Sequence, residues 1–329
     1  MASGSSIQRA NELVASGNHR AAADLLARAA ARADGAALLE LARWRVYGNI
    51  LRRDLGMARE LLAKAAAAGN NEAALLHCGF LANGVGGAPD WTAARTILET
   101  LARSRPEPGA QLRILDAMDI DDQGFPTATL PRRTLSITPD VFAGPDLLKP
   151  AECAWLIAGA KRRLTRSTVV DPSSGRMVPH PVRNCDYAMF GVFEEDMVVG
   201  AINRRLARLT GTLPEQAEAL QVLRYNSGGE YRSHFDALHP TNNQRVLTAL
   251  VYLNDGFDGG ATRFDRIGLE FRGGAGDALV FRNVQADGRP DPLSQHAGLP
   301  VTKGEKYLAS RWIREHPIAF PKPVPALPD

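Results

Sequence analysis

The sequence predicts a two-domain α+β protein. An N-terminal solenoid of α-helical repeats comes first, then a domain of short strands arranged as a sandwich or barrel with flanking helices. Three observations predict it. The first third resembles itself when shifted by 36 residues. After Leu220 the apolar pattern changes from a helical period to a period of two. Between Asp119 and Pro139 an acidic and then proline-containing stretch separates the two patterns. A chain of 329 residues is comfortable for two domains.

The repeat occupies residues 6 to about 119. Asn18, Asp54 and Asp90 superpose in it, each just before a helical pattern, where a side-chain oxygen caps a free backbone N–H. Ala22, Ala58 and Ala94 follow, then Leu26, Leu62 and Leu98. The small residues allow close helix approach, and the leucines form the buried stripe. A fixed period of this length marks stacked helix–turn–helix units. The pattern places helices near 6–16, 19–32, 36–47, 55–68, 71–83, 90–103 and 109–119. Ala65 to Gly69, Gly84 to Gly87 and Asp90 resemble the Sel-one-like branch of tetratricopeptide repeats. That resemblance implies a surface recruiting a peptide or protein, against the alternative of a purely structural array.

The linker holds Asp119, Asp121 and Asp122 without the spacing of a calcium loop. A short strand follows at 135–137. Pro150 opens a helix running to about Leu164, since proline suits a first helical turn. Asp171 to Gly175 reads as a turn, and a second helix spans about 195–209. Strands are predicted at 220–225, 229–236, 246–253, 261–264, 267–272, 277–282, 293–298 and 305–315, split by glycine-rich turns.

Composition excludes several classes. With 45% hydrophobic and 23% charged residues the chain is an ordinary globular protein. A net charge of +3 does not argue for nucleic acid. Basic clusters such as Lys161 to Arg163 and Arg204-Arg205 read as solvated helix faces. Cys78, Cys153 and Cys185 are widely spaced and form neither a disulfide framework nor a zinc-thiolate site. The first residues lack a charged and then apolar leader, and no apolar run approaches the ~18–20 residues of a bilayer span. A cytoplasmic protein without membrane contact is expected.

Chemistry concentrates in Tyr225 to Asp236. Residues i and i+2 of a strand share a face, so His234 and Asp236 are expected to project side by side. That supplies two donors of a 2-His-1-carboxylate triad. Downstream, His239 lies in a loop off that face, and His316 precedes Pro317 near the end. His296 lies in a strand-like run and is followed at ten residues by Lys306. A buried lysine there, on the next strand, suits the far carboxylate of a dicarboxylic cosubstrate.

These pieces, with Leu223 to Asn226, Leu250 to Asn254, Gly259 to Thr262, Gly276-Asp277, Gly298, Gly304 and Trp312, resemble the prolyl 4-hydroxylase type of Fe(II)/2-oxoglutarate dioxygenase. The resemblance implies a double-stranded β-helix, or jelly roll. It divides the chain into a repeat domain (1–120), a linker (121–133), a dioxygenase domain (134–316) and a proline-rich tail (317–329). It implies that His234, Asp236 and His296 hold Fe(II). Lys306, Tyr225 and Thr262 would bind 2-oxoglutarate, and Arg183 and Trp312 would line the substrate side. O2 is then the second cosubstrate, ascorbate a stimulant, and succinate and CO2 are products. A carboxylate at 236, rather than Ala or Gly, implies hydroxylation rather than halogenation. The favoured substrate is a prolyl residue in a peptide or protein. A free amino acid or natural-product intermediate, and an inactive jelly-roll peptide binder, are the alternatives. The chain departs from the family where Ala261 replaces a glutamate and where Asn184-Cys185 follows Arg183.

Overall fold

The structure, a computed structural model, describes residues 3–170, 177–179, 182–238 and 241–318. The predicted turn at 171–175, His239 and the tail beyond Ile318 lie outside the described residues. The chain divides into two compact units. Residues up to Gly124, with Glu195–Gly200, form one; Phe125–Glu194 with Ala201–Ile318 form the other.

Seven helices make up the first unit: α1 (Ser3–Ala15), α2 (His19–Ala30), α3 (Gly35–Tyr47), α4 (Leu55–Ala67), α5 (Asn71–Ala82), α6 (Trp91–Ala102) and α7 (Pro106–Ala117). Each packs on the next in the chain. Ala22, Ala58 and Ala94, and Leu26, Leu62 and Leu98, are all completely buried. Each leucine contributes roughly 1.5–3 kcal/mol through burial. Asp54 and Asp90 cap α4 and α6, accepting from Met57 N and Ala93 N at 2.9 Å. Asp34 and Asn70, also 36 residues apart, cap α3 and α5. The linking hydrogen bonds recur too: Asp54 N donates to Arg45 O and Asp90 N to Leu81 O, each at 2.8 Å. Gly48 and Gly84 end their helices at φ +70° and +69°, a conformation that costs a side chain energy.

Asn18 departs from this pattern. Its side chain caps nothing and donates instead to Ser16 Oγ at 3.1 Å. The connection before α2 is only residues 16–18, whereas those before α4 and α6 begin at Gly48 and Asn83. Asn18 sits at φ −86° and ψ +55° rather than in the extended conformation of Asp34 and Asn70, so its side chain is not aimed at the helix end.

The second unit is mostly antiparallel sheet. Its strands are β1 (Arg133–Ser136), β2 (Val141–Gly144), β3 (Thr165–Arg166), β4 (Thr168–Val170), β5 (Met177–Pro179), β6 (Asp186–Phe190), β7 (Leu220–Tyr225), β8 (Tyr231–His234), β9 (Arg245–Tyr252), β10 (Phe257–Gly259), β11 (Thr262–Phe264), β12 (Leu269–Phe271), β13 (Ala278–Arg282), β14 (His296–Gly298), β15 (Val301–Gly304) and β16 (Lys306–Arg314), with helices α8 (Pro150–Lys161) and α9 (Met197–Thr210). A large sheet runs β1-β2-β13-β9-β16-β7-β6-β3 and a small one β12-β11-β14-β8, alongside the pairs β10-β15 and β4-β5. One core joins Leu223, Tyr225, Leu250 and Leu279 of the large sheet to Phe264 and Phe271 of the small one. Helix α8 packs on β6 and β7. The central strands β9 and β16 are buried at positions of both parities.

Several expectations change. The predicted 229–236 strand contracts to β8. The 293–298 run begins with a 3-10 turn at Pro292–Ser294, and only β14 remains extended. Gly304, at φ +79°, ends β15 one residue before β16 begins. Strands β2, β3, β4, β5, β6, β10 and β15 were not expected. The Arg204-Arg205 pair is not a solvated face, because α9 is enclosed from Met197 to Ala207. Arg205 forms a buried two-point pair with Glu152 of α8, at 2.5 and 3.1 Å, and also donates to Leu147 O. Removing one partner of such a pair costs about 3–5 kcal/mol. Arg204 is 8% exposed and lies over the Phe125 ring.

Candidate metal centre

Strands β8 and β14 are neighbours in the small sheet, and their register sets His234 opposite His296. Directly paired residues face the same side, and the two rings lie 4.3 Å apart. Asp236 is not on the strand as the alternation predicts, because β8 ends at His234. Phe235 turns outward, 41% exposed, and the chain then returns Asp236 to the histidines. Asp236 Oδ1 is 3.5 Å from His234 Nε2, and Oδ2 is 3.7 Å from His296 Nε2. The three donor atoms all lie within 4.8 Å of one another. No other group of three such side chains occurs among the described residues.

The hydrogen bonds aim these donors. His234 Nδ1 meets Arg232 O at 2.8 Å, and His296 Nδ1 meets Ser294 O at 3.0 Å. A carbonyl oxygen only accepts, so Nδ1 of each neutral ring carries the proton and Nε2 keeps its lone pair. Thr248 Oγ1 donates to Asp236 Oδ2 at 2.7 Å and accepts from Asn283 Nδ2 at 2.9 Å. Burial pushes His296 down to about 4, leaving it neutral at pH 7. Burial works to raise the Asp236 carboxyl, and the Thr248 hydroxyl donating to Oδ2 works to lower it. Two imidazoles, each with Nε2 turned to the site, and one carboxylate are the donor set of a non-heme Fe(II) triad with open positions, and the residues fit that ion.

All eight residues singled out in the sequence line one cavity of about 430 Å³, its open mouth included. Lys306 does not come from the strand next to His296. β15 intervenes, and Lys306 enters from the facing large sheet, paired in register with Tyr225 on β7. It is 2% exposed, and Nζ donates to Gly260 O at 2.6 Å. The rings of Tyr252 and Tyr225 lie 4.7 and 5.5 Å from Nζ. No carboxylate among the described residues pairs with it. Burial, and then the Arg272 charge, push its ammonium down to about 7. A buried cation without a counter-charge is costly until an anion arrives, so the cavity fits a carboxylate guest. Thr262 is buried in β11, its Oγ1 3.0 Å from Tyr252 OH.

Arg183 bridges to Tyr231, and its guanidinium lies 5.2 Å from the Tyr187 ring centre and 5.8 Å from that of Tyr231. Trp312 is covered by the Arg245 guanidinium at 3.9 Å, itself held by Glu218. Cys185 is buried, its thiol pushed up by burial, and it lies against Ser167 Oγ and Tyr225. Sequence reasoning missed Tyr231, whose ring stacks on His234 at 3.5 Å. It also missed Thr248 and Asn283. A hydroxyl inside the otherwise apolar run Leu247 to Tyr252 was the available signal for Thr248.

Residues 220–314 match the family model described as the 2OG-Fe(II) oxygenase superfamily. Prolyl 4-hydroxylase 1 of Arabidopsis thaliana is 33% identical over 218 residues, covering 60% of this chain and 77% of that one. The prolyl 4-hydroxylase subunit alpha-1 of Rattus norvegicus is 34% identical over 194 residues, covering 56% of this chain and 36% of that one. Among solved structures, the viral collagen prolyl hydroxylase of Paramecium Bursaria Chlorella virus-1, in complex with 2OG, aligns at 25% identity with a TM-score of 0.43, over 53% of this chain and 95% of that one.

Proposed function

The chain belongs to the 2OG-Fe(II) oxygenase superfamily, and on that premise we propose that it hydroxylates an unactivated C–H of a prolyl residue in a peptide or protein. Its cofactors are those of the family: Fe(II), with 2-oxoglutarate and O2 as cosubstrates. His234, Asp236 and His296 hold the ion. Bound iron supplies the oxidising chemistry that splits the keto acid to succinate and CO2 and places one oxygen in a C–H bond. The protein's own part is orientation and exclusion of water. Lys306 pairs with the distal carboxylate, Tyr225 flanks it from the paired strand, and Thr262 closes the opposite wall. Arg183 and Trp312 frame the mouth, where an extended peptide meets rigid aromatic surface. The β unit is read as a jelly roll spanning 134–316.

The observation that carries this reading is the convergence of the two-histidine, one-carboxylate cluster and the buried Lys306 in one cavity. The test is succinate release dependent on Fe(II) and 2-oxoglutarate, with mass spectrometry of proline-containing peptides for a gain of one oxygen. Both signals are expected to vanish in His234→Ala. Protein that takes up no iron under anaerobic conditions would sink the reading. The helical unit is read as a repeat solenoid over 1–120 that recruits the substrate protein. Equal KM for a short prolyl peptide and for its parent protein would remove that role.

A further inference from the structure

We propose that Thr248 and Asn283 are positioning residues that decide how Asp236 is presented to the ion, holding Oδ2 so that Oδ1 is the oxygen offered. This inference rests on the metal-centre reading above. A carboxylate only accepts, so the 2.7 Å contact requires the Thr248 hydroxyl to donate to Oδ2. The threonine oxygen is then free to accept, and the Asn283 amide must supply the proton at 2.9 Å. The chain of donors therefore has one direction, running from Asn283 through Thr248 to Asp236. Both residues are completely buried, Thr248 in the middle of β9 and Asn283 just past β13. Burying polar groups at such positions is unfavourable, and Asn283 Oδ1 has no hydrogen-bond partner among the described residues. Valine and leucine would pack there without that cost.

The consequence is chemical. A carboxylate that closed on the ion through both oxygens would occupy one of the positions the triad would otherwise leave open. A hydroxyl proton held on Oδ2 draws electron density from that oxygen and disfavours the two-oxygen mode. Asn283 braces a second ligand as well. Its backbone oxygen accepts from Asp291 N at 2.9 Å and from Ser294 Oγ at 3.5 Å. Those bonds fix the turn whose Ser294 carbonyl receives His296 Nδ1. One residue thus supports two of the three donors.

The test compares full-length wild type, Thr248→Val and Thr248→Ser by anaerobic Co(II) titration, the visible spectrum of bound Co(II), and the ratio of succinate to hydroxylated product. Valine keeps the shape and removes the donor. It is expected to weaken Co(II) by roughly 10–100-fold, to shift the Co(II) bands, and to release succinate in excess of product. Serine is expected to restore all three. Wild-type affinity, bands and ratio in the valine variant would overturn the proposal. If melting of the metal-free protein shows that valine does not fold, Asn283→Ala carries the test. A several-fold loss of affinity with shifted bands supports the proposal, and wild-type behaviour overturns it. Wild type that binds no Co(II) would instead overturn the metal centre itself.

Discussion

In the helical unit Leu26, Leu62 and Leu98 occupy equivalent buried positions, so one solution is used three times. In the β unit no site residue has a second copy. His234 and His296 meet through strand register, Asp236 through a loop, and Lys306 from the opposite sheet. The first unit spreads its stability over repeated, mostly nearest-neighbour contacts. The second concentrates its chemistry at single positions that only long-range pairing brings together. Damage should therefore be graded and local in one, and discrete in the other.

Three measurements break or sharpen that contrast. The largest effect expected is in the helical unit: Leu62→Ala removes a fully buried side chain and should cost about 2–5 kcal/mol. Chemical denaturation reads it, with Co(II) affinity unchanged. A metal affinity that fell in step would break the comparison. Lys306→Met comes next. It removes a charge-assisted partner worth about 1.5–3 kcal/mol, so the KM for 2-oxoglutarate should rise by roughly 10–150-fold. Steady-state kinetics check this, and an unchanged KM would remove Lys306 from the cosubstrate site.

The smallest effect is pH dependence. The Lys306 ammonium titrates near 7 in the free protein, and a bound carboxylate raises that value. Below 7 the lysine is already charged and affinity is flat. Above 7 binding must take up a proton, so the KM for 2-oxoglutarate rises by up to about tenfold per pH unit until the bound-state value is passed. Lys306→Met should flatten this slope. A slope that survives in the variant assigns the titration to another group.

Helix ends were legible because caps and glycine stops are local chemistry, and Asp54 and Asp90 were found that way. Asn18 was misread because its backbone conformation, not its identity, decides whether it can cap. The site was legible as a set of residue types at motif spacing, and those residues do line one cavity. The geometry that joins them was not legible. Asp236 lies past the end of its strand, and Lys306 belongs to the facing sheet, since strand boundaries and sheet membership depend on partners far away in sequence. Thr248 and Asn283 escaped for the same reason. The Thr248 hydroxyl in an apolar strand signals a buried polar partner but does not say that the partner is Asp236.

The direct pairing of His234 with His296 links occupancy of the site to the order in which the sheet is built. Five strands, β9 to β13, lie between the two in the chain, so nothing local brings the imidazoles together. A slip of β14 by one residue would turn His296 to the other face and leave Ala297 or Gln295 in its place. An ion held between these rings acts as a gauge of alignment, bound only after β8 and β14 have paired in the correct frame. During refolding, metal uptake should therefore be among the latest events and should lag the recovery of secondary structure.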